Sequence, residues 1–140
     1  MKTARPMARA AVAGLLALGA SLALAATPAD IRRDLEIAAR QSTPGFAGFS
    51  ALRGQQFFAS RHGTDWSCAS CHTANPRAPG RHATTGKDIA PLAPGANPQR
   101  FTDLAKAEKW FKRNCNDVLK RGCTAAEKGD VLEYLISLGK

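Results

Sequence analysis

Past its seventh residue the sequence has no methionine: among 140 residues only Met1 and Met7 are of that type, so no thioether is available to any site formed by the rest of the chain. Acidic residues are few, 11 Asp and Glu against 20 Lys and Arg, and the formal charge of +9 makes a surface that favours acidic partners. Nucleic acid is excluded as the reason for this charge, because neither a base-stacking motif nor a helix-turn-helix pattern accompanies it. No segment alternates convincingly between apolar and polar residues with period two, which argues against sheets. Of the four cysteines, Cys68 and Cys71 have no second close pair beside them, since Cys115 and Cys123 have seven residues between them; a structural zinc site is thereby disfavoured. The absence of a βαβ pattern likewise disfavours a thioredoxin-type redox pair.

One apolar run stands out, and its flanks say what it is. Lys2, Arg5 and Arg9 precede an uncharged stretch from Ala10 to Ala25 that closes in Ala23-Leu24-Ala25. These are the three parts of a secretory signal peptide spanning residues 1–25. The run is too short, and too rich in alanine and glycine, to serve as a membrane span, so no stable membrane insertion is expected after cleavage. What remains, residues 26–140, is one small domain that carries 17 basic against 11 acidic residues and is expected in the periplasm.

Within that domain, Cys68-Ala69-Ser70-Cys71-His72 has the spacing of a haem c attachment site. Two thiols three residues apart add to the vinyl groups of a single haem, and the histidine that follows ligates its iron from one face. The motif therefore implies one covalent haem c bound by Cys68 and Cys71, with His72 as proximal ligand. Export agrees with this, because haem is attached through thioethers outside the cytoplasm, where disulfides also persist.

The rest of the chain reads as helices. Ile31, Leu35 and Ala38 recur at helical spacing over 28–40, with Pro28 in the first turn. Ser42 to Gly45 form a turn, and Ser50 caps a second helix over 51–61 on which Gly54 and Phe58 share a face. Residues 73–100 hold five prolines and several glycines, and are expected to form an ordered cover with Ile89, Pro91, Leu92 and Pro94 as apolar contacts. A third helix starts at a Thr102 cap, uses Leu104, Phe111, Val118 and Leu119 as its apolar positions and breaks near Asn114. The last helix is marked by a Thr124/Glu127 capping box, an apolar face of Val131, Leu132, Leu135, Ile136 and Leu138, and Gly139 at its end. The class is all-α, with helices gathered round a haem. Across the junction of the last two helices, Cys115 and Cys123 are expected to form a disulfide in an oxidising compartment, the alternative being a reactive dithiol.

Without methionine, the second iron face must be served otherwise. His62, six residues before Cys68, is too near the attachment site to reach across; His82, in the cover, is a candidate; a lysine would first have to lose a proton. The amide oxygens of Asn114 and Asn116 are neutral, hard donors that favour ferric over ferrous iron, and water alone is a further alternative. An ordinary helix asparagine is a cap or a surface amide, and composition does not single out Asn114. Trp110, one turn earlier, reads as core. The residues thus leave open a redox-gated binder of diatomic gases, a plain electron carrier closed by His82 or a lysine, and an oxygen- or nitric oxide-consuming enzyme.

The segment from Thr85 to Pro94, then Arg100-Phe101-Thr102-Asp103, Glu108-Lys109-Trp110, Arg113-Asn114-Cys115-Asn116, Arg121, Cys123-Thr124, Glu127-Lys128 and Asp130, resembles the sphaeroides haem protein family of oxygen-binding monohaem cytochromes c. With the haem motif and Arg53-Gly54, the likeness runs from Arg53 to the C-terminus. It implies a class I cytochrome c fold, Cys68 and Cys71 on the haem, His72 as proximal ligand, Asn114 as distal ligand and a Cys115–Cys123 disulfide. It further implies that the asparagine leaves the iron on reduction, that the ferrous protein binds oxygen and nitric oxide, and that electrons come from a dihaem cytochrome c. Tyr134 stands where the family carries tryptophan, and the chain before Arg53 does not follow the pattern.

Overall fold

The computed structural model describes residues 25–139; the expected leader lies outside them except for Ala25. Seven elements follow in order: α1 (Pro28–Ser42), α2 (Ala51–Ala59), α3 (Cys68–His72), β1 (Gly80–Arg81), β2 (Asp88–Ile89), α4 (Leu104–Leu119) and α5 (Ala125–Ser137). No helix among the described residues is long and apolar enough to cross a membrane.

Local chemistry sets most of the boundaries. Thr27 and Asp30 form a capping box at the start of α1, and Ser50 Oγ accepts from the Arg53 amide to start α2. At α4 the cap is Asp103, whose carboxylate accepts from the Lys106 amide at 2.9 Å, and not Thr102, whose hydroxyl donates to the Gln99 carbonyl. A carboxylate at this position also opposes the positive end of the helix dipole. Nor does α4 break at Asn114; it continues to Leu119 and stops at Lys120 in the left-handed conformation, φ 59°. On α1 the third buried position is Ala39, with Ala38 only half covered. The second helix ends at Ala59, two residues short of the expected Arg61, because Ser60 takes an extended conformation.

α5 is the axis of the core. Its Val131, Tyr134 and Leu135 pack with Phe58 of α2, while Leu132 packs with Ile31 and Leu35 of α1. Tyr134 is buried with its ring 5.7 Å from Phe58. The α2–α5 contact is made backbone to backbone: a methyl group on Gly54 would overlap the Asp130 carbonyl. Asp130 is only 8 % exposed, and its carboxylate accepts from the Ser50 amide at 2.7 Å and from Arg53 Nε and Nη2 at 2.8 Å each. A buried charge is tolerated here because its lone pairs are met by donors.

Cys115 and Cys123 are bonded to each other, and Lys128 Nζ of α5 donates to both carboxylate oxygens of Glu108 on α4, at 2.8 and 2.6 Å. β1 and β2 form a two-residue antiparallel ladder, Gly80 opposite Ile89, inside the segment expected to lack a long sheet.

Gly54→Ala is expected to lower the unfolding free energy by roughly 1–3 kcal/mol, read from the midpoint of urea denaturation, because the added carbon forces α2 off α5. Replacing Cys115 and Cys123 together by serine is expected to cost about 2.5 kcal/mol in the same assay, the loop-closure entropy of an eight-residue separation.

Candidate functional site

α2 delivers the chain to the site through residues 60–67. Its C-terminus is tied down by the His62 ring, whose Nε2 lies 2.8 Å from the Phe57 carbonyl oxygen, so this histidine is committed locally. Thr64 Oγ1 then donates to the Val118 carbonyl of α4 at 2.7 Å, which pins the approach to α3 against the end of the long helix. At the start of α3 the Ser67 amide donates to Ser70 Oγ at 2.9 Å.

α3 places Cys68, Cys71 and His72 at positions i, i+3 and i+4, which share one helix face. Both cysteines are half-buried. Burial pushes the Cys68 thiol up to about 11. Burial also pulls the His72 imidazole down to about 4, and the positive charge of Arg100 adds to the pull. The ring is therefore neutral at physiological pH, the form that can ligate a metal. The Phe58 ring lies 6.2 Å from it. Two thiols and one neutral imidazole set along one face of a short helix fit a covalently attached, axially ligated haem. Among the described residues no three His, Cys, Asp or Glu side chains converge as a site for a bare metal ion.

The segment after α3 folds back over it. A methyl group on Gly80 would overlap the Cys71 carbonyl and meet the His72 Cα at 3.1 Å, so the backbone of β1 rests on the α3 backbone. The Ala83 amide points at Cys71 Sγ, 3.3 Å away. Further along, the Leu92 and Ala93 amides donate to the Pro76 carbonyl at 2.9 and 3.0 Å, with Pro76 and Ala93 both buried. Arg100 closes the loop by donating from Nε to the Pro91 carbonyl and from Nη2 to the Ala90 carbonyl, at 2.9 and 2.7 Å. The cover is thus ordered, and Ile89, Pro91, Leu92 and Pro94 are all half-buried in it. His82 caps a turn here: its Nδ1 accepts from the Thr84 and Thr85 amides at 3.2 and 3.3 Å.

α4 presents Phe111, Cys115 and Val118 inward, and Asn114 flanks that face. The Asn114 side chain is half-buried and enters no hydrogen bond within the described residues; Asn116, by contrast, is exposed. Trp110 is not core: it is 43 % exposed, with the Arg113 guanidinium 5.6 Å from its ring centre. Sequence reasoning did not find Gly80 or Arg100. A glycine after Pro79 signals only a turn, and nothing in the chain order brings Arg100 to His72.

A family profile described as a domain of unknown function, DUF1924, matches residues 44–135. Cytochrome c-type protein SHP of Cereibacter sphaeroides is 41 % identical over 133 residues, 92 % of this chain and 98 % of that protein. The solved structure of oxidised SHP, described as an oxygen-binding cytochrome c, superposes with a TM-score of 0.71 at 43 % identity, covering 81 % of this chain and 98 % of that one. The solution structure of cytochrome c'' from Methylophilus methylotrophus, described as giving insight into haem-ligand detachment, gives 0.72 at 36 % identity, covering 81 % of this chain and 94 % of that one.

Gly80→Ala is expected to lift the cover from α3. The holo-protein should lose roughly 1–3 kcal/mol of stability, and the amides of residues 80–93 should exchange faster than those of α5. Uniform exchange across the chain would separate the cover from the site.

Proposed function

The chain belongs to the sphaeroides haem protein family and carries one covalent haem c in an all-α class I cytochrome c fold, and we propose that it is an exported redox-gated binder of oxygen or nitric oxide. In this reading Cys68 and Cys71 hold the haem through thioethers, His72 is the fixed iron ligand and Asn114 the exchangeable one. When bound, the haem supplies a redox-active iron with one face available for exchange.

The observation that carries the reading is Asn114: a half-buried residue beside the inward face of α4, its amide without a hydrogen-bond partner among the described residues, in a chain whose only methionines are Met1 and Met7. The amide oxygen is a neutral, hard donor, suited to the ferric state and weaker toward the ferrous one. Once turned aside, the same side chain offers an NH2 group that can donate a hydrogen bond to an incoming diatomic ligand. His72 keeps its place throughout, because α3 is held between α2 and the cover. A site closed by His82 has less support, since its Nδ1 accepts from two backbone amides, which leaves the proton of the neutral ring on Nε2, the nitrogen that would have to bind iron.

Residues 1–25 direct export to the periplasm, the mature domain is 26–140, and the Cys115–Cys123 disulfide braces the helix that carries Asn114. Electrons arrive from another cytochrome, for which a dihaem cytochrome c is the candidate. The oxygen-binding description of the SHP structure and the haem-ligand detachment named for cytochrome c'' both favour a labile iron ligand here.

Asn114→Ala should keep the haem attached while its ferric absorption and electron paramagnetic resonance spectra change to those of a water-bound or five-coordinate iron, and the reduced wild type should bind carbon monoxide. A variant whose ferric spectra match the wild type would remove Asn114 from the iron. A reduced wild-type protein that ignores carbon monoxide would end the gas-binding reading.

A further inference from the structure

The basic residues of this chain are not distributed alike. Arg33, Arg40, Arg53, Arg81 and Arg121 each lie within ion-pair distance of a carboxylate. On α4, Lys106, Lys109, Lys112 and Arg113 are all exposed, and none has a carboxylate within that distance among the described residues. Lys106, Lys109 and Arg113 stand at i, i+3 and i+7, one stripe along the outward side of the helix, with Lys112 beside it. Of the acids on α4, Glu108 is on the other side and occupied by Lys128, and Asp117 stands one turn beyond Arg113, at the C-terminal end of the stripe. The exposed Trp110 indole lies between this stripe and Asn114, capped by the Arg113 guanidinium.

We propose that the outward side of α4 is the docking surface for an acidic redox protein that supplies the electron. This rests on the reading above that electrons come from another protein, and adds where it binds. Four unpaired cations on one helix face make a local field that draws in an acidic surface and raises its encounter rate. An exposed tryptophan beside an arginine gives that encounter an apolar centre of the kind interfaces favour. The patch is one helix long, matching the small contacts of transient redox complexes, below about 1,200 Å². The same helix carries Asn114, so a partner seated there lies within one helix diameter, about 10 Å, of that residue.

The test is stopped-flow reduction of the ferric holo-protein by a reduced plant-type ferredoxin, an acidic redox protein, beside ascorbate as a small reductant. Lys109→Glu with Arg113→Glu should slow reduction by ferredoxin roughly tenfold or more at low salt and flatten its ionic-strength dependence. Ascorbate reduction, haem content and carbon monoxide binding should stay within twofold. The milder Lys109→Gln with Arg113→Gln should slow ferredoxin by an intermediate factor, and covers the case in which the reversal disturbs the helix. Arg61→Glu with Lys87→Glu, an equal charge change at two exposed residues on other segments, should have less than a third of the effect. Equal slowing by that control, or no slowing by the α4 variants, overturns the surface. A wild type that fails to bind carbon monoxide yet shows the α4-specific slowing would sink the gas-binding reading and leave the docking surface standing.

Discussion

The contact on which the arrangement rests is the one between two backbones at Gly54 and Asp130. Helices ordinarily keep 8–10 Å between axes because side chains separate them. Removing the side chain at Gly54 lets α2 settle directly against α5, and Asp130 then collects the Ser50 amide and the Arg53 guanidinium from the start of α2. Shape and charge therefore fix the same pair of helices in one register. Eight residues, 60–67, then join α2 to α3, so that register sets where the approach to the two thiols and the imidazole begins.

In the proposed reading, the site draws on three separate parts of the chain around this pair. α3 contributes the thiols and His72, the cover contributes a backbone wall through Gly80, and α4 brings Asn114 beside Phe111 and Val118. Each part is tied to a neighbour by a directional bond. Thr64 joins the approach of α3 to α4, Arg100 gathers the cover, and Lys128 joins α4 to α5.

Much of this was legible in the sequence, for physical reasons that differ by residue. The Cys68 to His72 motif is readable because bonding two vinyl groups and an iron from one short segment admits few spacings. The Thr124 and Glu127 box and the Ser50 cap are readable because unpaired amides at a helix start need an oxygen close in the chain. The Thr102 expectation failed because two adjacent residues could cap, and only the three-dimensional path shows Asp103 facing the Lys106 amide. The supposed break at Asn114 failed because asparagine is a weak helix former by propensity, while Cys115 and Val118 on the same turn gain from burial, and tertiary packing outweighs a few tenths of a kcal/mol. Trp110 was read as core from its chemistry, although its position on α4 puts it at the rim. Gly80 and Arg100 were not legible, because their roles depend on contacts between segments far apart in the chain.

The bracing of α4 has a consequence for speed. Close to Asn114 the helix is held by the disulfide at Cys115, by the hydroxyl of Thr64 on Val118 and by the turn at Lys120, so it is poorly placed to slide or tilt as a body. In the proposed exchange, the movement left to the amide is rotation about its own two side-chain torsions. Such rotations are local and fast, nanoseconds or less for an unhindered side chain, whereas shifting a packed helix takes microseconds or longer. The access of a small ligand would then be governed by a rotamer equilibrium, with almost no rearrangement of the surrounding protein.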